Sequence, residues 1–290
     1  MEPAASTVKG IIRRRGDSLE SPWQGLLGLA IALPPLAVVI LFFLWPFLRS
    51  LITSFQKDGQ FTLANYATAF RLYSGDMLYT LAVSFAALAI LLALGTVIGG
   101  YLRIHANPLV EFLFKIPLFV PFVVAGHAMR VFLAPKGILN SLLATAGIIN
   151  IDDPPSIAFS AAGIIAALVW KNISFALLLI MGAYRGVDES YLEAARNFGA
   201  SSLKQIKDVL IPMALPSIVI VGILLFTSLM ASFSIPMMIG KGEGAQMLMV
   251  DVYYRIIYLS DYGVANALGV VSYLAATAAA VYYMKGVTRA

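Results

Sequence analysis

Long apolar runs alternate with short polar segments along the chain. A typical run, LAVSFAALAILLALGTVIGG, has apolar side chains on every helical face, whereas a membrane-spanning strand needs about ten residues with alternating apolar and polar side chains. A spanning helix needs about 20 apolar residues. The pattern therefore predicts an all-α integral membrane protein with about six transmembrane helices. The six predicted spans extend from about Gln24 to Leu48, Met77 to Leu102, Phe112 to Leu133, Ile157 to Ala183, Pro212 to Ile235 and Tyr262 to Met284.

Composition supports a membrane location. Of the 290 residues, 60% are hydrophobic and 12% are charged, whereas a globular chain is about half apolar and a quarter charged. The absence of cysteine excludes disulfides and thiolate metal sites. The net charge of +5 does not indicate nucleic acid, because the basic residues lie at the ends of apolar runs. The apolar runs are therefore expected to contact membrane lipid.

The ends of the chain and its prolines refine this picture. We expect residues 1–22 to form a cytoplasmic tail rather than a signal peptide, because the following apolar run is too long for a cleavable one. Residues 23–290 are expected to form the transmembrane domain. Prolines inside or beside the spans predict kinks, which a bilayer-spanning helix can tolerate. These prolines are Pro34, Pro35, Pro46, Pro117 and Pro121.

The distribution of lysine and arginine predicts the orientation. With the N-terminus inside, 12 basic residues fall on the cytoplasmic side and six outside, which agrees with the positive-inside rule. The first set is Lys9, Arg13, Arg14, Arg15, Arg103, Lys115, Arg185, Arg196, Lys204, Lys207, Lys285 and Arg289. The second is Arg49, Lys57, Arg71, Lys136, Lys241 and Arg255. Both termini, and the segment between spans four and five, are therefore expected in the cytoplasm.

The segment between spans four and five, YLEAARNFGASSLKQIKDVLIPMALP, is unusually polar for this chain. The S-x-x-E spacing of Ser190 and Glu193 predicts a capping box that starts a short helix near Tyr191. Gly199 suits the left-handed C-cap that ends this helix.

A second short helix is predicted after Gly199. Ser201 can cap it, and Pro212 suits the first turn of the span that follows. Its apolar residues recur at helical spacing. They are Leu203, Ile206 and Leu210. The pattern therefore predicts a two-helix loop between about residues 188 and 212.

The loop resembles a known motif. EAA at 193–195, Gly199 after three more residues, and VLIP at 209–212 after nine more resemble the EAA loop of permeases in type I ABC importers, E-A-A-x3-G-x9-I-x-L-P. The resemblance implies that the loop is a coupling helix that sits in a cleft of a cytoplasmic ATPase subunit. A membrane-surface hairpin without a partner is the alternative. The implied coupling residues are Glu193, Ala194, Ala195, Gly199, Ala200 and Pro212.

The resemblance also implies partners and a location. A permease of this type lies in the bacterial inner membrane as a multi-pass subunit. It works with two cytoplasmic ATP-binding subunits, a second permease and an extracytoplasmic solute-binding protein. The chain has no G-x-x-x-x-G-K-[ST] phosphate loop, so we expect it to be a transport subunit without cofactor, with ATP and Mg bound by the partner ATPase. A homologous second permease is favoured over a second copy of this chain.

Charged residues inside predicted spans are candidates for the solute path, because a charge at mid-bilayer costs roughly 3 kcal/mol or more. Lys171 lies near the middle of span four beside Asn172 and Ser174, and Arg130 lies near the outer end of span three. Lining of the path is one interpretation of Lys171. A structural contact, pairing with a buried acid, or snorkelling to the interface are the others.

The chain after span five also bears on the path. In SFSIPMMIGKGEGAQ, Pro236 and a glycine cluster are expected to break helical character, and Ser234 and Pro236 are further candidates for the path. In permeases of the resembled type this neighbourhood helps to form the external gate and faces the binding protein. GKGEG at 240–244 is interpreted as a flexible loop rather than a nucleotide cradle.

Two smaller motifs are interpreted structurally. Gly95 and Gly99 form a G-x-x-x-G pair that allows close helix approach, either within this chain or against a second permease. Asp153, which precedes two prolines, is expected to cap span four rather than to form a carboxylate site with Asp152.

Substrate class and rival functions follow from weaker signals. FTLANYATAF, VPFVVAG, KGILNSLL and FSIPMMIG resemble the polyamine, iron and phosphonate branch more than the carbohydrate branch, whose T-G-G-P run is missing. A carbohydrate importer permease, a secondary transporter and a membrane-embedded enzyme are the alternatives. A secondary transporter carries its own midplane site, and the coupling loop argues against it. The two histidines, His105 and His127, fall near opposite faces, which argues against an enzyme.

Overall fold

The computed structural model describes residues 22–240 and 244–287 of the protein. Within them, five helices are long and apolar enough to cross a membrane, and a bent pair of shorter helices makes a sixth span if the pair counts as one. The predicted all-α membrane class with about six spans is confirmed. The predicted tail, apart from its last residue, and the middle of the GKGEG run lie outside the described residues.

Among the described residues, 22–52 belong to one of two compact units. Helix α1 (Pro22–Val39) continues through a π-helical turn (Ile40–Leu44) into α2 (Trp45–Ser54). Pro34 and Pro35 lie inside α1 without ending it. Proline is tolerated in a spanning helix because its neighbours and local π adjustments satisfy the freed carbonyls.

The second unit begins with a short hairpin and a long helix. Strands β1 (Gln56–Lys57) and β2 (Gln60–Phe61) pair in antiparallel fashion. Helix α3 (Ala64–Ile104) has 41 residues, which makes it about 60 Å long, roughly twice the thickness of the hydrocarbon core. The predicted second span, Met77 to Leu102, is therefore only part of α3. Residues 64–76 are less apolar than the run that follows but are also helical, so the helix begins before the apolar run does.

The third predicted span is a broken helix rather than a continuous one. Helix α4 (Pro108–Phe119) and helix α5 (Phe122–Phe132) are bent by 105°. Val120 is extended between them, with φ −86° and ψ 121°, as expected for a residue before a proline. Pro117 and Pro121 both lack the N–H that would continue the helical ladder.

Span four starts later than predicted. A short helix, α6 (Ile138–Thr145), comes first, and α7 (Ala161–Arg185) forms the span. The prediction that Asp153 caps this helix is wrong, because the N-cap is Ser160, whose Oγ accepts from the Gly163 N–H at 3.3 Å. The segment around the two prolines is irregular and delays the helix.

The remaining helices form the knob, span five, the outer segment and span six. They are α8 (Glu189–Asn197), α9 (Ser202–Gln205), a π-helical turn (Ile206–Leu210), α10 (Ile211–Met230), α11 (Ser234–Ile239), α12 (Leu248–Ile257) and α13 (Tyr262–Val287). The predicted second short helix is not separate: α9, the π turn and α10 run continuously from Ser202 to Met230. In the π turn the Ile211 N–H donates to the Ile206 carbonyl, so the ladder continues past Pro212.

Helix α7 lies at the centre of the core. In its candidate span 67% of the residues are buried, against 33% to 39% for α3, α10 and α13. The G-x-x-x-G pair packs here, within this chain: a Cβ on Gly95 would lie 2.7 Å from Ile180 Cδ1. Of the two interpretations of this pair, packing within the chain is the one observed.

Candidate coupling surface and solute path

Residues 188–205, named here the polar knob, begin with an aspartate cap. The Oδ1 of Asp188 accepts from the Ser190 N–H at 2.9 Å, so α8 starts at Glu189. The predicted capping box of Ser190 and Glu193 is therefore wrong, and the cap lies two residues earlier. Hydrogen bonding from Ser190 lowers the pKa of Asp188 below its usual value, as expected for a carboxylate that accepts a backbone N–H.

A Schellman motif ends the first helix of the knob. Gly199 has φ +76°, its N–H donates to the Arg196 carbonyl at 2.9 Å, and the Ala200 N–H donates to the Ala195 carbonyl at 3.0 Å. These are the two hydrogen bonds of the motif. The predicted left-handed cap at Gly199 is observed, and Ala195 and Ala200 each supply one of its backbone groups.

Arg103, at the end of α3, holds one side of the knob. Its guanidinium donates to the Tyr184 and Val187 carbonyls, both at 3.3 Å, and its Nη1 lies 2.5 Å from Glu189 Oε2. One side chain therefore joins α3, the end of α7 and the first turn of α8. The sequence-based reasoning used Arg103 only to assign orientation, because its partners lie more than 80 residues away.

The second side of the knob also rests on α3. His105 Nε2 and Ser202 Oγ form a hydrogen bond of 2.8 Å. A Cβ on Gly100 would lie 2.7 Å from Ile206 Cγ1, so the helices are in close contact there. The knob is therefore attached to one helix at both of its ends.

Phe198 is the most exposed large apolar side chain of the knob. It is 91% exposed and directly precedes Gly199, while Leu203 is 65% exposed. Leu192, by contrast, is buried and fixes the inner face of α8. Glu193 and Ala194 are exposed beside this tip, and Pro212 is exposed at the start of α10. Sequence reasoning missed Phe198, although an aromatic residue in an otherwise polar loop was an available signal.

Lys171 contacts the break in span three. Its Nζ donates to the Pro117 carbonyl at 2.6 Å, lies 3.4 Å from the Leu118 carbonyl, and lies 4.7 Å from the centre of the Phe122 ring. The Pro117 carbonyl lacks its usual i+4 donor because Pro121 has no N–H, and its main-chain donor is the Val120 N–H at 3.3 Å. The structural-contact interpretation of Lys171 is therefore observed, with main-chain carbonyls instead of a buried acid.

Ser174 reinforces the same junction one turn away. Its Oγ donates to the Phe114 carbonyl at 2.6 Å. Asn172, between Lys171 and Ser174, donates to the Leu168 carbonyl of its own helix at 2.8 Å. Residues 117–122, named here the helix break, are thus held by span four through Lys171, with Ser174 holding the preceding turn.

A cavity of about 310 Å³, named here the serine cavity, lies beside the break. It is lined by Phe122, Asn172, Ser228, Ala231, Ser232, Phe233 and Ser234. A second cavity of about 90 Å³, named here the small cavity, includes Pro236 and Phe159 in its lining. The guanidinium of Arg130 lies 5.3 Å from the centre of the Phe159 ring.

The six predicted path residues fall in different places. Asn172 and Ser234 line the serine cavity, and Pro236 lines the small cavity. Lys171 and Arg130 each lie beside a phenyl ring that lines one of these cavities. Ser174 instead borders a different, narrow pocket next to α4. The serines at 228 and 232, which sequence reasoning missed, complete the polar wall.

The N-terminal half of α3 anchors α12, about 35 to 40 Å from Arg103 along the helix. The Gln246 N–H donates to Asp76 Oδ1, and the Leu248 N–H donates to Thr80 Oγ1, both at 2.8 Å. Gln246 Nε2 donates to Asp251 Oδ1 at 2.6 Å. Asp251 is 3% exposed.

Asp251 lies in α12, outside the candidate spans. Burial, reinforced by the nearby charge of Asp76, raises its pKa to about 7, although Gln246 and Arg255 oppose the shift. Its second carboxylate oxygen has no hydrogen-bond partner among the described residues. A buried carboxylate with one free oxygen favours the protonated form.

A bundle of bilayer-spanning helices with a polar knob at one end and polar cavities beside a broken span defines a multi-pass membrane transport protein. Residues 86–287 match the family described as binding-protein-dependent transport system inner membrane component, and the chain belongs to this family. It is a permease of the ABC importer class, as the EAA resemblance predicted.

Relatives from two substrate groups match most of the chain. It is 30% identical over 260 residues to the spermidine/putrescine transport system permease protein PotB of Haemophilus influenzae, covering 84% of this chain and 89% of that protein. It is 29% identical over 233 residues to PotB of Salmonella typhimurium, covering 77% and 79%. It is 28% identical over 260 residues to the putative 2-aminoethylphosphonate transport system permease protein PhnU of Salmonella typhimurium, covering 88% and 90%.

Solved structures share the fold. A bacterial ABC transporter involved in the import of the acidic polysaccharide alginate aligns with a TM-score of 0.78 and 17% identity, over 91% of this chain and 96% of that chain. The MetNI methionine ABC transporter aligns with a TM-score of 0.54 and 18% identity, over 75% and 97%. At these identities the likeness establishes the fold alone.

Proposed function

We propose that this chain forms one half of the solute path of an ATP-driven importer, and that the polar knob couples it to a cytoplasmic ATPase. The observation that carries the proposal is the knob itself. Phe198 is 91% exposed at its tip, while Arg103 and His105 fix its base to α3. An exposed aromatic side chain on a rigid support is the usual form of an interface anchor.

The partner set follows from the same assignment. Two ATP-binding subunits hydrolyse ATP with Mg, a second permease completes the path, and an extracytoplasmic binding protein delivers the solute. A homologous second permease is favoured over a second copy. The alginate transporter was also solved with an alginate pentasaccharide-bound periplasmic protein, which supports the kind of assembly proposed here.

The orientation proposed for the chain places the knob and both termini in the cytoplasm. The excess of lysine and arginine on that side supports this orientation. The lean toward a polyamine or phosphonate-like solute is supported by the PotB and PhnU relatives. A carbohydrate importer is the second candidate, with the fold of the alginate transporter as its only support.

Purification of the tagged chain from its native membrane tests the assembly. Phe198→Ala should reduce the recovery of the ATP-binding chain about tenfold or more, because an aromatic anchor at an interface contributes about 2 kcal/mol or more. Recovery of the second permease should not change. The matched control is Phe61→Ala, which alters a 74% exposed phenylalanine in the hairpin at the other end of α3. Full recovery of the ATP-binding chain with Phe198→Ala would contradict the assigned docking surface.

A further inference from the structure

The two cavities bordered by α11 share a design. The serine cavity is lined by three hydroxyls, one amide and two phenyl rings, and the lining of the small cavity is also neutral. A cation lies beside one phenyl ring of each: Lys171 beside Phe122, and Arg130 beside Phe159. Neither lining includes a carboxylate.

A free hydroxyl marks the serine cavity as a polar site. Ser232 is 9% exposed, and its Oγ has no hydrogen-bond partner in the part of the chain that the structure describes. Buried hydroxyls in proteins almost always have a partner. The described residues therefore do not supply the partner expected for this buried hydroxyl, which belongs to a residue in the wall of the serine cavity.

The charge of Lys171 is not neutralised by its contacts. Its hydrogen-bond acceptors are main-chain carbonyls, which carry no net charge. In a low-dielectric surrounding an ammonium group acts over several ångströms. A solute ammonium in the serine cavity would meet this like charge and no carboxylate, whereas an oxyanion would meet hydroxyl and amide donors in a positive field.

We propose that the serine cavity binds an oxyanion group of the solute, of the phosphonate, phosphate or carboxylate class, and disfavours polycations. Ser228, Ser232 and Ser234 donate hydrogen bonds, and Lys171 and Arg130 supply the field. This assignment rests on the proposed function, in which these residues border the path. It separates the two solute groups of the relatives and selects the phosphonate-like one.

The natural absence of cysteine makes a direct test possible. Ser232→Cys introduces a single thiol into the chain. With the complete transporter in vesicles of phosphatidylcholine alone, which supply no anionic lipid, the thiol is modified with a negatively charged sulfonatoethyl or a positively charged trimethylammonioethyl methanethiosulfonate. The rates are read from the mass of the intact chain. The control is Ser74→Cys at an exposed position of α3.

The ratio of the anionic to the cationic rate should be about tenfold higher for Ser232→Cys than for Ser74→Cys, because a local positive potential concentrates anions. Adding Lys171→Gln, which keeps a donor for the carbonyls but removes the charge, should lower this ratio toward that of the control. Lys171→Arg should preserve it. If the transporter with Lys171→Gln does not assemble, Arg130→Gln is used to remove a positive charge instead, since Arg130 is exposed.

An equal or reversed ratio would overturn the oxyanion assignment, and so would a failure of both reagents to react, because the cavity would then be closed to solutes. The proposed function fails separately. If the ratio is high but modification of the Ser232→Cys thiol leaves ATP-driven uptake unchanged, the cavity binds anions but is not in the path. If modification blocks uptake while the ratio matches the control, the path assignment stands and the oxyanion assignment is wrong.

Discussion

The polar knob and the helix break are each held by a different basic side chain, and each of these side chains contacts main-chain carbonyls. Arg103 donates to two carbonyls at the end of α7, and Lys171 contacts two carbonyls at the end of α4. The surroundings differ. The Arg103 side chain is 20% exposed and is paired with Glu189, whereas Lys171 is 6% exposed and its hydrogen bonds go to carbonyls.

This difference separates two ways of fixing backbone. At the membrane surface, water competes for the carbonyls and salt screens the ion pair. The contacts of Arg103 therefore contribute only a small free energy to the position of the knob. Inside the bundle, water cannot hydrogen-bond to a buried carbonyl that has lost its donor, so the full desolvation penalty of that carbonyl lowers the stability of the fold. The break should therefore depend on Lys171 much more than the knob depends on Arg103.

The largest effect is expected at the break. Lys171→Met removes the buried donor to the Pro117 carbonyl, which then keeps only the longer bond from the Val120 N–H at 3.3 Å, at a cost of roughly 1 to 3 kcal/mol. The melting temperature of the purified complex should fall by several degrees. Lys136→Met, at an exposed position, is the control. An unchanged melting temperature for Lys171→Met would show that the carbonyl contacts do not support the break.

The next effect is expected at the tip of the knob. Gly199→Val places a β-branched residue at φ +76°. This left-handed conformation costs an L-residue roughly 1 to 2 kcal/mol. The chain should insert normally, but stimulation of the partner ATPase by solute-loaded binding protein should be lost. Gly182→Val is the matched control, since Gly182 is helical and a Cβ there contacts nothing within 4 Å. Normal stimulation of the ATPase in assembled Gly199→Val complexes would contradict the assignment of the knob as the coupling surface.

Local signals predicted most of these elements. The apolar runs gave the spans, and the αL preference of glycine gave the end of α8 at Gly199. The break in span three was predicted only as a kink, because two prolines identify missing N–H groups but not the 105° angle. The side chain that contacts the break, Lys171, lies more than 50 residues away along the chain, where no local pattern connects it to the prolines.

The errors have related causes. Ser190 and Asp153 both matched a capping pattern, but Asp188 and Ser160 are the residues that cap. Several polar residues near a helix start can each serve as a cap, and tertiary packing decides among them. The serine cavity was missed because its wall combines α5, α7, α10 and the chain beside α11, and no local pattern joins them.

A smaller effect is expected at the base of the knob. Arg103→Gln removes the ion pair with Glu189, a surface interaction of about 1 kcal/mol or less, and weakens the contacts to the Tyr184 and Val187 carbonyls. The amount of ATP hydrolysed per solute imported should rise about two- to fivefold, because the knob is held less firmly. High salt should reproduce part of this effect in the wild type. Arg185→Gln is the control, since the Arg185 side chain is 65% exposed and its Nη2 lies 3.7 Å from Glu111 Oε1. Equal coupling in both variants would remove Arg103 from the coupling role.

The smallest effect concerns Asp251, a buried carboxyl group whose second oxygen has no hydrogen-bond partner among the described residues. Burial raises the pKa of Asp251 to about 7, above the usual value near 4 of an unfolded chain. The folded state therefore favours the protonated acid. The resulting stabilisation is fully present below about pH 4 and is lost as the pH rises through 7.

We expect the wild-type complex to melt about 1 to 3 °C higher at pH 5.5 than at pH 8, after subtraction of the shift seen with Asp251→Asn, which removes this titration. Asp152→Asn, on an exposed carboxylate, should keep the wild-type pH dependence. If Asp251→Asn shows the same pH dependence as the wild type, the free oxygen of Asp251 has a partner that stabilises its charge, and α12 is held at this end in the same way as the knob, by opposite charges.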